Sequence, residues 1–398
     1  MKDKIFRLHG QVQHYAWGGF DYIPGLLGFD NAQHKPCAEY WMGAHAAAPG
    51  KLETENGTIP WKQLIDENPD LYLGEKVHKQ FGELPYLLKI LDVREMLSIQ
   101  VHPTKAEAEK GFVAEEAAGI PINSPNRNYK DRNHKPEVMI ALGDFWLLHG
   151  FKKEDEIQTG LQSVPEFNGL QNVFENGNYF GLYKHIMELP QATADELLKP
   201  LIAREISVNH TKEEPGYWVS KLYNGTLPES HFDKGIFSIY LFNIVKLKKG
   251  EGIFQAAGVP HAYMEGQNVE LMANSDNVLR GGLTPKHIDV NELLKHTIFE
   301  TIEPNILTPQ KTERGEEFYP MPVDDFGICA ITLENGREYV NDSISPEIFL
   351  VMEGEVYCHE IVSKKGESFV VLPNTHYTIR GIEKSIIYKA YVPLNGKA

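Results

Sequence analysis

Short alternating runs of apolar and polar residues dominate the chain. They cover residues 84–102 (LPYLLKILDVREMLSIQVH), 135–148, 236–247 and 348–357. Each run is rich in β-branched and aromatic residues and is bounded by Gly, Pro, Asn or Asp, as strands of a sandwich or barrel are. Two stretches carry a helical signal instead. Thr104-Lys-Ala-Glu107 is a capping box and predicts a helix running to about Ala118. The region 152–232 predicts mostly helix, with elements at 154–164, 178–188 and 194–206, the last behind a second capping box at Thr193-x-x-Glu196. Strand patterning resumes after it, so it reads as a helical insertion in a mainly β chain.

A weak internal repeat supports that organisation. Lys248-Lys-Gly-Glu251 precedes a strand and then Gly-Val-Pro-His261, and Lys364-Lys-Gly-Glu367 precedes a strand and then Leu-Pro-Asn-Thr-His376. A Gly-Glu turn, a strand, a Pro-containing turn and a His opening the next strand is the shape of the second cupin motif. The first copy has Ala256 where that motif has Pro. The polar segment 303–317 (EPNILTPQKTERGEE) separates the copies and reads as a linker.

Strand phasing then collects candidate chemistry. Side chains two apart share a face, so Ser98, Gln100 and His102 point one way while Leu97, Ile99 and Val101 point into a core. Lys135 and Glu137 share a face where the next strand begins, and so do His261 and Tyr263. Two imidazoles and one carboxylate form a zinc-type ligand set that leaves positions open for water or substrate. A Gln100 oxygen would be an unusual fourth ligand. With Glu137 as the one anionic ligand the site stays near +1, so the metal remains a strong Lewis acid. An oxygen and nitrogen shell of this kind also accepts manganese, cobalt or nickel.

Charge sharpens the picture. The 398 residues hold 39 Lys and Arg against 55 Asp and Glu, a net charge of −16. So acidic a chain is a poor partner for nucleic acid or an anionic membrane, and a phosphorylated ligand would need local cations. Arg280-Gly-Gly-Leu-Thr-Pro-Lys286 places two of them around a Gly-Gly turn, downstream of a strand on which Glu270, Met272 and Asn274 share a face. No P-loop or dinucleotide fingerprint occurs. Cys37, Cys329 and Cys358 are too few and too scattered for a disulfide framework, which suits a reducing cytoplasm. No apolar run is long enough to span a membrane, and the first ten residues lack an apolar signal core, so export is not expected.

Together these segments resemble the type I mannose-6-phosphate isomerases (phosphomannose isomerases). The resemblance runs from His14-Tyr-Ala-Trp17-Gly18 and Glu39-Tyr-Trp-Met-Gly-Ala-His45 through Leu84-Pro-Tyr-Leu-Leu-Lys89 and Leu97-Ser-Ile-Gln-Val-His-Pro103. It continues in Asn133-His-Lys-Pro-Glu137, Gly258-Val-Pro-His-Ala-Tyr263, Ser275-Asp-Asn277 and Gly282-Leu-Thr-Pro-Lys286. It implies a double-stranded β-helix (cupin) catalytic domain from 1–151 plus 233–302, a helical insertion at 152–232, and a non-catalytic cupin-like domain with its linker at 303–398. It also implies one zinc ion on Gln100, His102, Glu137 and His261, with Arg280 as the active-site arginine. Ser98, Lys89, Lys135, Tyr263, Glu270, Asp276 and Lys286 match its substrate pocket. The implied reaction interconverts mannose 6-phosphate and fructose 6-phosphate through an enediolate. The base is left open among Glu270, Asp276, Lys135 and a zinc-bound water. Rival readings are a cupin metalloenzyme of another class, such as an oxygenase, and a non-enzymatic sugar-phosphate-binding protein.

Overall fold

The computed structural model describes residues 4–223 and 226–394; residues 1–3, 224–225 and 395–398 of the expected domains lie outside that description. The described residues form 24 strands and eleven α-helices, in keeping with a mainly β class. Helices Glu154–Ser163, Asn168–Glu188, Gln191–Ser207 and Pro215–Tyr223 fall in the expected helical region. Their apolar residues, among them Ile157, Phe174, Leu198 and Trp218, share one core with Trp146, Leu148, Ala262 and Met264 from two neighbouring strands.

Three local expectations need correction. Gln191–Ser207 starts ahead of Thr193, with Pro190 at the cap, so Thr193 lies in the first turn rather than before it. Asn168–Glu188 is kinked at Asn178 (φ 50, ψ −157), so the expected start at 178 marks the second half of a longer helix. Residues 236–247 are not one strand, because helix Gly235–Leu241 precedes strand Phe242–Leu247. Ile236, Phe237 and Ile239 are all buried, and a short, wholly buried apolar run looks the same in sequence whether helical or extended.

Two large sheets carry most of the molecule. The first runs in spatial order through Ile306–Leu307, Gly252–Gln255, Glu137–Ala141, His261–Ala273, Tyr86–Val93, Glu39–Gly43 and Gln11–Gln13. Strand His261–Ala273 turns a corner. Its residues 266–273 pair with Tyr86–Val93, whereas 261–265 pair with Phe145–Phe151 across a bulge between Tyr263 and Glu265. Gly266 follows at φ 127, and a Cβ there would lie 2.7 Å from the Asp144 carbonyl, so glycine is required. The corner encloses an interior floored by Leu91, Met139, Phe145 and Leu147.

The second sheet joins the two ends of the chain. Its inner order is Gly327–Leu333, Ser385–Tyr391, Glu347–Glu353, Ser368–Val371, Ile5–His9 and Lys51–Thr54. Pairing therefore runs across the boundaries suggested by the sequence. The presumed linker also contributes strands, with Ile306–Leu307 pairing into the first sheet and Gln310–Lys311 into the second. The backs of the two sheets meet in a shared core containing Leu88, Ile90, Val138 and Leu271 with Ile348, Leu350, Val370 and Ala390.

The sequence repeat is a structural repeat. Gly250 and Gly366 sit at φ 86 and φ 85. In each copy the Glu side chain accepts from the first lysine's backbone N–H, Glu251 from Lys248 at 2.8 Å and Glu367 from Lys364 at 3.0 Å. The following histidines differ. His261 is buried, whereas His376 is exposed and meets the exposed Asp342 at 2.9 Å.

Candidate metal and anion site

Alternation along His261–Ala273 sorts its side chains. Ala262, Met264, Val269, Leu271 and Ala273 enter outer cores, leaving His261, Tyr263, Glu270 and Met272 for the interior. Register then brings the other candidates alongside, since residues directly opposite in an antiparallel pair share a face with Cβ atoms about 5 Å apart. His261 lies opposite Gln100, and Gln100 lies opposite Arg280. Glu270 lies opposite Lys89, and Met272 opposite Glu137.

The ligand atoms of His102, Glu137 and His261 all fall within 4.8 Å of one another. Nε2 of His102 is 3.5 Å from Glu137 Oε1, and Nε2 of His261 is 3.4 Å from Glu137 Oε2. Each imidazole is set by a backbone carbonyl. Nδ1 of His102 donates to Asn277 O and Nδ1 of His261 to Val259 O, both at 2.9 Å. A carbonyl only accepts, so the proton sits on Nδ1 and the Nε2 lone pair faces the cluster. Nε2 of His102 is buried with no hydrogen-bond partner among the described residues. An orphaned lone pair beside a carboxylate and a second imidazole fits a divalent metal such as zinc. Burial pushes the His102 imidazole down to about 4, which keeps it neutral and able to ligate. Burial alone would raise Glu137, but Lys135, 2.9 Å away, and His102 outweigh it and hold the carboxyl well below its ordinary range.

Beside the cluster lies a second charged group. Lys89 Nζ is 3.2 Å from Glu270 Oε1 and 3.4 Å from Glu39 Oε2, and it sits 5.0 Å above the Trp41 ring. Tyr263 donates its hydroxyl to Glu270 Oε2 at 2.8 Å. Burial raises Glu270, with Lys89 opposing and Glu137 reinforcing the shift. Lys89 is raised despite its burial because Glu39 and Glu270 flank it. Asp276 stands at the rim, 3.4 Å from Nε2 of the buried His45, and that contact lowers it.

The cations stand apart from these carboxylates. Arg280 is half-buried and lowered by burial alone, while burial and then the charge of Arg280 lower Lys286. Among the described residues no carboxylate neutralises either one. Ser98 is half-buried in an extended run whose neighbours Leu97 and Ile99 bond to Tyr263 O and Gly282 O. Lys286 is exposed, beyond the Gly281–Gly282 turn.

Several participants escaped the sequence reading. Glu39 and Trp41 obey the same two-residue phasing that marked Gln100 and His102, so a signal existed. His45, Asn277 and the pair His149–Gln255 did not announce themselves. Nδ1 of His149 donates to Gln255 Oε1 at 2.9 Å, and these two lie opposite His261 and Glu137 respectively. Asn277 ties the segment before Glu137 in place, accepting from the N–H of Lys130 and donating to the carbonyls of Asp131 and Asn133.

Residues 5–154 match the family model of the phosphomannose isomerase type I catalytic domain. Mannose-6-phosphate isomerase of Escherichia coli (strain K12) is 37% identical over 383 residues, covering 94% of this chain and 97% of that protein. Its counterpart from Salmonella typhimurium is 38% identical over 369 residues, covering 91% and 93%. A solved structure of the Salmonella typhimurium isomerase bound to substrate (F6P) and zinc superposes with a TM-score of 0.88 at 34% identity, covering 98% of this chain and all of that one.

Proposed function

The chain belongs to the mannose-6-phosphate isomerase family, and from that premise we propose that it interconverts D-mannose 6-phosphate and D-fructose 6-phosphate with one zinc ion. The observation that carries this reading is a single interior that pairs a His102, Glu137 and His261 cluster, its lone pairs pre-aimed, with Arg280 left unneutralised one strand away. Gln100, opposite His261, completes the proposed ligand set. We read the interior as a cupin barrel formed by 1–151 and 233–302, with 152–232 as its helical insertion and 303–398 as a second, non-catalytic barrel. A reducing cytoplasm suits its three buried free thiols.

In the open-chain aldose, a base removes the C2 proton, an enediolate forms, and a proton is returned to C1. Glu270 is our base: its buried site raises its proton affinity toward the range in which a carboxylate transfers protons at neutral pH. Lys89 and Tyr263 hold its two oxygens in place. Lys135, beside Glu137, serves the sugar oxygens. When bound, zinc supplies fixed positive charge where the O1/O2 oxyanion develops. Arg280 adds a second fixed charge from the neighbouring strand, and with Lys286 it faces the phosphate, so binding at C6 positions C1 and C2. Ser98 and Asp276 line the remaining pocket.

The test is conversion of mannose 6-phosphate to fructose 6-phosphate before chelation, after it, and after zinc is restored. Activity that disappears and returns supports the reading. A folded, zinc-loaded chain that turns over neither sugar sinks it.

A further inference from the structure

We propose that Asp233, where the helical segment returns to the barrel, is the positioning residue for the phosphate of the substrate. This deepens the isomerase reading and rests on it. The Asp233 carboxylate makes three bonds to backbone N–H groups: Oδ1 accepts from Gly235 at 2.7 Å and Leu283 at 2.9 Å, and Oδ2 accepts from Thr284 at 2.8 Å. Two of those donors lie in the turn joining Arg280 to Lys286.

That turn does not hold its shape unaided. Leu283 sits at φ 55 and Gly282 at φ 119. A left-handed leucine is strained and persists only where its surroundings fix it. A Cβ at Gly282 would lie 2.4 Å from Gly235 Cα, so backbone rests on backbone beside Asp233. The opposite side is also pinned: Ile99 donates to Gly282 O at 3.0 Å and accepts from Gly281 at 2.8 Å. Thr284 Oγ1 then accepts from the Lys286 N–H at 3.2 Å. The turn is clamped between Asp233 and Ile99, with Arg280 entering it and Lys286 leaving it. Two neighbouring cations repel, and an unclamped turn would let them drift apart. Holding them at fixed spacing before the anion arrives lowers the ordering cost of binding.

Asp233→Ala and Asp233→Asn, purified with zinc, test this against the intact enzyme. The expected result is a KM for mannose 6-phosphate raised about tenfold in the alanine variant, with kcat changed far less. Competitive inhibition by inorganic phosphate weakens in parallel, and bound zinc is unchanged. Asp233→Asn keeps one acceptor oxygen and gives a smaller shift in the same direction; it carries the test if the alanine variant does not fold. Unchanged KM and unchanged phosphate inhibition in a folded variant overturn the proposal, as does a loss confined to kcat or zinc content. If the wild type binds inorganic phosphate without isomerising either sugar, and Asp233→Asn weakens that binding, the isomerase reading falls while the positioning role stands.

Discussion

His102 and His149 are both buried imidazoles pushed down to about 4, His102 in the metal cluster and His149 opposite His261. An unfolded imidazole titrates near 6.5. Between those values the unfolded chain takes up protons that the metal-free fold refuses, so stability falls as pH drops from about 6.5 toward 4. Above that window these two groups leave stability flat. Each contributes roughly 3 kcal/mol to the fall. Zinc bound at His102 makes the fold refuse that proton more firmly while the unfolded chain still takes it up, so melting curves taken from about pH 8 to about 4.5 will lie higher with zinc but decline at least as steeply as without it. A profile that is flat without zinc contradicts the buried, neutral assignment. Glu270→Gln makes a second residue-level prediction: zinc is retained, but exchange of the C2 proton with solvent drops by about 10²-fold or more. Normal exchange would remove Glu270 from the role of base. What was legible at this scale was phase. Gln100, His102, Glu137 and His261 each sit at a strand edge, where the two-residue rule names a face. His45 was not legible, because its partner Asp276 is brought close only by the folded loops.

Among elements, the duplicated Lys-Lys-Gly-Glu turn offers an internal control. Both glycines have the same left-handed φ, but a Cβ at Gly250 meets nothing within 4 Å, whereas one at Gly366 would lie 2.1 Å from Leu26 O. Gly250→Ala is expected to destabilise by about 1 kcal/mol from backbone strain alone. Gly366→Ala adds a clash with fixed backbone and is expected to lose at least twice as much. Denaturant midpoints compare the two directly, and equal losses would refute the steric argument. The Thr104 cap was readable because it is local, with Thr104 Oγ1 accepting from the Glu107 N–H at 3.3 Å ahead of helix Lys105–Ala117. The helix Gly235–Leu241 was not, since a short, wholly buried apolar run carries no period that separates helix from strand.

Across the whole molecule, contacts from the C-terminal half reach the strands that carry the candidate site. Tyr86, on the strand that carries Lys89, donates its buried hydroxyl toward Pro346 O at 2.9 Å and Ala390 O at 3.1 Å. Nε2 of His134, three residues before Glu137, lies 3.0 Å from the buried Asp325. Tyr86→Phe is expected to lower stability by about 1–3 kcal/mol, read from a urea midpoint, because two buried carbonyls lose a donor. No change would mean that the sheets hold together by apolar contact alone. The sequence pattern announced a mainly β chain with a helical stretch, yet not this stitching, because a strand's alternation states which face it buries and not which distant strand it joins.

The pairing of Ile5–His9 with Ser368–Val371 also sets an order of events during synthesis. The Ser368 hydroxyl bonds to the Leu8 carbonyl 360 residues earlier. At about 5–20 residues per second, Ile5–His9 waits on the order of 20–70 s after leaving the ribosome before this partner exists. Through that interval one of its edges stays open, and an unpaired edge is what chaperones shield and stray strands capture. Translation stalled short of Ser368 leaves a chain that already contains His102, Glu137, His261 and Arg280 but lacks the strand against which its own beginning must close. A strand made some 360 residues before its partner is among the last to be seated.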